Sequence, residues 1–329
     1  LFHDAANSIA TIVSTRVLKP QYAVAWAAFF NFIAFMVFGL SVAQTVGSGI
    51  VDPKIVDPSV IFGALMGAIA WNVFTWLLGI PSSSSHALIG GLLGAGIAKA
   101  GTDAVIFAGF AKTSVAIFVS PTIGFILALT LMLIFSWIFV RATPGAVDNF
   151  FRYMQFASAS LYSLGHGGND AQKTMGIIAV LLYSTGQMQG EFHVPQWVVL
   201  SCYTAISLGT LSGGWKIIQT MGTKLTKLNH HTGFCASTAG SIVVFGASAM
   251  GIPVSTTHAI TGAVVGTGAA RKASFGGDLL GGQALDTFRT MQDEHFADLA
   301  AQRGVLGLAA MIERHLAGQI APGSEAGKT

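Results

Sequence analysis

Six stretches of the chain hold no Asp, Glu, Lys or Arg: 20–51, 58–98, 113–140, 174–190, 192–215 and 228–270. A helix needs about 20 apolar residues to cross a bilayer, and most of these runs reach that length. Only 9% of the 329 residues are charged, against about 25% in soluble domains, so a globular surface could not be covered. Such a chain folds as an all-α polytopic membrane protein. Candidate segments lie at roughly 1–17, 22–46, 59–79, 85–98, 113–140, 149–165, 170–187, 195–213, 231–251 and 255–270. The sequence opens at "LFHDAANS" without Met, which reads as a fragment starting partway through a first segment. No cleavable signal peptide is visible.

Several function classes drop out. Lys216, Lys224 and Lys227 lie between apolar segments, as a cytoplasmic loop obeying the positive-inside rule would, and nothing resembles a nucleic-acid patch. Cys202 and Cys235 lack CxxC spacing and read as small core residues. The sequence offers no nucleophile–base pair and no metal cluster, so an enzyme is the weakest reading, with no catalytic residue and no metal ligand.

Two hydroxyl runs stand out against the apolar background. "GIPSSSSHALIGG" occupies Gly79–Gly91, and "GIPVSTTHAITGA" occupies Gly251–Ala263. Ser83, Ser84 and Ser85 align with Ser255, Thr256 and Thr257, and His86 with His258. Pro followed by Ser or Thr marks a helix start, where the first N–H groups lack partners and the dipole is positive. The helices that follow are short for a span, as re-entrant or broken helices are. Two such starts facing one another would surround a small tetrahedral oxyanion with uncharged donors. Either run alone is better explained as ordinary N-capping. His86 and His258 read as packing histidines, Asn31 and Asn72 as interhelical hydrogen-bonders, and His230 and His231 as interfacial.

An acidic element precedes each hydroxyl run. "FHDAANSIA" holds Asp4 and Asn7; "GHGGNDAQKTMGIIA" holds Asn169, Asp170 and Lys173. Asp4 and Asn7, like Asp170 and Lys173, are three residues apart and share a helix face. A carboxylate at membrane depth costs at least about 2.5–3.5 kcal/mol on insertion scales, so such residues line cavities or pathways. Asp170 neutralised by Lys173, or capping a helix, is the structural alternative for a single site. Recurrence of two unlike motifs in one order favours an internal repeat with a function. Gly165, Gly167 and Gly168 are read as permitting a backbone break before Asn169.

Importing a negative charge against the membrane potential costs about 2.3 kcal/mol per 100 mV. Cations must accompany the anion, as H⁺, Na⁺ or a bound divalent metal. Asp4, Asn7, Asp170 and Lys173 are the expected coupling residues. An ammonium at Lys173, where the first half has Asn7, could stand in for one of those cations.

These motifs, with "GGWKIIQTMG" at Gly213–Gly222, resemble the inorganic phosphate transporter family in its bacterial branch, over about 1–272. The resemblance implies two inverted repeats, about 1–140 and 148–272, with phosphate and cations held between them. It implies inward phosphate symport, with H⁺ or a metal–phosphate complex favoured over Na⁺ and no resident cofactor. It points to Ser83, Ser84, Ser85, Asn169, Ser255, Thr256 and Thr257 as phosphate-binding and to Asp4, Asn7, Asp170 and Lys173 as cation-coupling. The corresponding setting is the cell inner membrane, with lipid around a multi-pass chain and a homodimer as the candidate assembly. Relatives that carry sulfate make a sulfate permease of the same fold the nearest alternative.

Residues 273–329 break the pattern. Of the 31 charged residues, 13 fall in 271–329, which reads as a short soluble helical tail. Over 275–318 the tail resembles the flagellar rod-binding domain. A genuine fusion would make the chain a membrane-anchored assembly factor; a gene-boundary artefact is the preferred reading.

Overall fold

The computed structural model describes residues 2–78, 80, 82–188, 190–211, 226 and 228–273, with side chains from Asn7 to Arg271. All lie in the first of two compact units, Leu1–Gly276. The tail, the "GGWKIIQTMG" segment, Lys216, Lys224, Lys227 and the Asp4 side chain fall outside the described residues.

The described residues are helical without a β-strand. Ten α-helices follow in order among them: α1 Phe2–Ser14, α2 Pro20–Ile33, α3 Ser41–Ser48, α4 Pro58–Leu78, α5 Ser84–Ala100, α6 Phe107–Ile138, α7 Pro144–Ser184, α8 Gln196–Leu211, α9 His230–Ala249 and α10 Thr256–Ala273. Proline stands at the first turn of α2 and α7, where its missing N–H costs nothing. By length and composition α4, α6 and α9 can each cross a membrane, and α2 with α3, bent by 83°, makes a broken fourth.

Large apolar side chains point outward. Phe118 and Trp137 of α6 are each 75% exposed, and Phe62, Ile69 and Phe74 of α4 are more than half exposed. The buried positions instead include many Ala, Ser and Thr residues. Water would not tolerate that arrangement, whereas lipid favours it. The chain is a multi-pass membrane protein.

Small residues let the helices approach closely. On α10, a Cβ at Gly262 would lie 2.2 Å from the Pro121 carbonyl of α6, and one at Gly266 would lie 2.4 Å from that of Phe125. This four-residue spacing is the small-xxx-small pattern of membrane helix pairs. Paired helices α4–α5 and α9–α10 are the matching hairpins of two inverted repeats. Asp57 caps α4, accepting from the Val60 N–H at 2.9 Å, and pairs with Lys99 near the end of α5.

Two sequence expectations are corrected. The segment 22–46 is not one helix: α2 tightens into a turn at Ala34–Met36 and resumes as α3. Conversely, 149–165 and 170–187 are one unbroken helix, α7, of 41 residues. Its glycines serve contact and do not break the backbone. A Cβ at Gly167 would lie 2.6 Å from the Asn31 carbonyl of α2, and one at Gly168 would lie 2.2 Å from the Phe38 ring. Helix α7 is about 60 Å long at 1.5 Å per residue. Near its start, Asp148 Oδ1 lies 2.6 Å from His230 Nδ1 of α9, whose Nε2 lies 3.1 Å from the Thr15 carbonyl beyond α1.

Candidate functional site

The two hydroxyl runs begin α5 and α10 in the same way. Ser83 is the N-cap of α5, and its Oγ accepts from the His86 N–H at 3.1 Å. Ser255 does the same for α10, accepting from the His258 N–H at 3.1 Å. Side-chain oxygens at this position satisfy donors that a helix start leaves orphaned. The starts meet: the His86 and His258 rings stand edge to face with centroids 4.8 Å apart. The two tips from distant parts of the chain therefore lie side by side.

The acidic elements cross between halves. Asn7 of α1, fully buried, donates from Nδ2 to Thr257 Oγ1 of α10 at 2.6 Å. Lys173 of α7 reaches the other way and donates from Nζ to Ser85 Oγ of α5. The same ammonium donates to Asp170 Oδ1 and to the Val254 carbonyl, and only 2% of the lysine is exposed. Asp170 Oδ2 accepts from Thr256 Oγ1 at 2.8 Å. Asn169 donates to Ser248 Oγ at 2.9 Å and to the Ile252 carbonyl at 3.3 Å, and its Oδ1 accepts from the Val254 N–H at 3.3 Å. Asn169 thus holds the turn between α9 and α10.

A hydroxyl that accepts one bond keeps its own proton to donate. Ser83, Ser85, Ser255 and Thr257 all stand as acceptors here, so each keeps an O–H proton of its own. Thr256 differs, because its proton already goes to Asp170. Ser84 lies at the first turn of α5, half-buried. Asp4 lies on α1, with its side chain outside the described residues.

Several residues around the site carried no expectation from sequence. His166, four residues before Asp170 on α7, is fully buried, with Nε2 3.3 Å from Asp170 Oδ2 and Nδ1 3.1 Å from Asn31 Oδ1. Asn31 donates to Thr210 Oγ1 of α8 at 2.9 Å, so it bridges helices as its sequence context indicated. That bond fixes Asn31 Oδ1 as the acceptor and the His166 Nδ1–H as the donor. Nε2 then faces a carboxylate oxygen of Asp170. Tyr162 donates to the Thr256 carbonyl at 2.8 Å. Gln172 accepts from the Val42 and Ala43 N–H groups at 3.0 and 3.2 Å, capping α3. His166 and Gln172 both sat inside the HGGNDAQK motif, but α7 had to be continuous before their faces could be assigned. Among the described residues, no group of His, Cys, Asp and Glu is placed to hold a metal ion.

A family model for the phosphate transporter family matches residues 2–146 and 140–292. The chain belongs to the phosphate transporter family. The first match covers one hydroxyl run and the second match the other. The second match passes the boundary at 272 by twenty residues, into the region read as tail. Members of this family are transporters and not enzymes. The chain is 69% identical over 272 residues to a "probable low-affinity inorganic phosphate transporter" of Rhizobium meliloti, covering 83% of this chain and 81% of that one. It is 45% identical to a protein of the same description from Bacillus subtilis, covering 82% of each. A solved structure described as "the sodium-dependent phosphate transporter" superposes with a TM-score of 0.74 at 26% identity, covering 84% of this chain and 88% of that one.

Proposed function

We propose that this phosphate transporter imports inorganic phosphate across the cell inner membrane by symport with protons, the anion travelling free or as a metal–phosphate complex. The single observation behind this reading is the crossed pair of contacts, Asn7 to Thr257 and Lys173 to Ser85. These contacts bring both half-helix starts to one place and use Thr257 and Ser85 as acceptors. Phosphate sits there between Ser83, Ser84, Ser85, Ser255 and Thr257, with Asn169 holding the second tip in shape. Uncharged donors bind a tetrahedral anion without the grip of an arginine cluster, so release stays fast. Thr256 serves Asp170 in place of the anion.

Asp170, held by Lys173 and Thr256 with His166 Nε2 3.3 Å away, is assigned to the coupling of the cation. Asp4, on the matching face of α1, is assigned the equivalent duty in the first half.

Sodium coupling is the second reading. One observation favours it: Asn7 Oδ1 is buried with no hydrogen-bond partner, an acceptor that a cation would satisfy. Radiolabelled phosphate flux into proteoliposomes separates the two. An inward proton gradient should drive saturable uptake in choline buffer, and an inward sodium gradient at equal pH should not. Uptake driven by sodium alone would overturn the proton reading. Inhibition by equimolar sulfate as strong as by unlabelled phosphate would turn the assignment to a sulfate carrier.

A further inference from the structure

The lysine ammonium at the centre of the second half has three N–H donors. They meet three oxygens: the Asp170 carboxylate, the Ser85 hydroxyl and the Val254 carbonyl. One formal negative charge and two neutral oxygen dipoles are ligands of the kind a small hard cation takes. The oxygens come from three elements, α7, α5 and the turn before α10, so the cage exists only where the repeats meet.

The first half lacks this filling. Asn7 occupies the position equivalent to Lys173 and gives its N–H to Thr257, the partner equivalent to Ser85. Its carbonyl oxygen is left buried without a donor. The halves thus share a scaffold and differ by one fixed positive charge.

We infer that Lys173 is a tethered substitute for a co-transported alkali cation: its ammonium permanently fills an oxygen cage, formed by Asp170, Ser85 and Val254, that would otherwise bind one. The inference rests on the transporter reading and deepens it, since it fixes how many mobile cations the second half needs. With the ammonium in place, Asp170 is neutralised within the protein, and the cycle moves one cation fewer. Without it, the cage keeps its charge and two further oxygens, and a monovalent cation of small radius restores the balance. A buried carboxylate that has lost its partner is costly, which supplies the drive for that cation to bind.

The test replaces the lysine by the residue the first half uses. Full-length Lys173→Asn and wild type, purified in detergent, are melted in sodium chloride and in choline chloride at equal ionic strength. The variant should gain a saturable sodium-specific rise in melting temperature of about 5 °C beyond any wild-type response. In proteoliposomes its phosphate uptake should fall at least about tenfold when choline replaces sodium, while wild type changes less than about twofold. Lys173→Gln, which keeps length and adds an amide oxygen, is carried in parallel. Rescue of either variant from aggregation by sodium chloride counts as the expected result. Equal melting in both salts overturns the inference, and so does aggregation of both variants even in sodium chloride. Wild type that melts normally but moves no phosphate would sink the transport reading, and the melting comparison would still decide the fate of the cage.

Discussion

The hydroxyl tips at the starts of α5 and α10 are nearly the same object. Each has a serine cap bonded to the N–H of a histidine three residues on, and the histidine rings face each other. Their surroundings are not the same. The first tip receives the Lys173 ammonium at Ser85; the second meets Asp170 at Thr256 and, at Thr257, Asn7, neutral and with one oxygen unpartnered. The cap, which any helix start needs, is the same in both, whereas the electrostatics around it differ. A repeat can therefore be symmetrical in backbone and asymmetrical in charge.

The largest break in that comparison is Asp170→Asn. It strands the Lys173 ammonium in a buried site, costing about 3–5 kcal/mol in stability, and phosphate uptake should fall below detection in proteoliposome flux. Asp170→Asn with Lys173→Met should recover most of the melting temperature and none of the transport. If the single variant melts like wild type, the second half is not organised around this ion pair. Next in size is Gly168→Ala, whose methyl would overlap the Phe38 ring. Overpacking of this kind costs about 1–3 kcal/mol, read as a lower melting temperature, whereas Gly145→Ala, with open space around it, should change little.

The caps sharpen the likeness. Ser83→Ala and Ser255→Ala should each cost about 1 kcal/mol, equally in the two halves by thermal melting. An effect confined to one half would show that the caps have diverged as well. The smallest effect is expected at Asp57. Lys99 beside it holds its carboxyl below the ordinary value of 3.8. A depressed carboxylate stabilises the fold above that value and loses the contribution as pH falls through the folded-state value. Asp57→Asn should therefore lower the melting temperature slightly at pH 7, with the difference from wild type shrinking as pH falls below 3.8, measured by scanning across pH.

Much of this site was legible before any coordinates. The pairing of Ser83–Ser85 with Ser255–Thr257, and of Asp4 with Asp170, rests on residue order alone, and it identifies two matching starts. Their crossing was not legible. Lys173 reads from sequence as a partner of Asp170 three residues away, and nothing in the spacing announces Ser85 of the other repeat. The glycines of HGGND misled because one residue type serves two physical purposes in lipid, breaking a helix or letting another backbone come close. Only the neighbour decides, here Asn31 and Phe38. His166 was hidden by the same ambiguity, since a supposed break at Gly167 and Gly168 separates it from Asp170. The turn at Ala34–Met36 had no proline to mark it, only apolar residues that fit helix or turn alike.

Because α7 has no joint, it behaves as a stiff beam. Its Asp148 end is tied to His230 and, through that ring, to the chain just after α1. The ion pair sits 22 residues further along, about 33 Å away at 1.5 Å per residue. A few degrees of tilt at the His230 anchorage would shift Asp170 and Lys173 by an ångström or two, enough to lengthen one crossed contact while shortening another. The geometry around the proposed anion seat can then be altered from the far end of a single helix, without any residue of that helix unwinding.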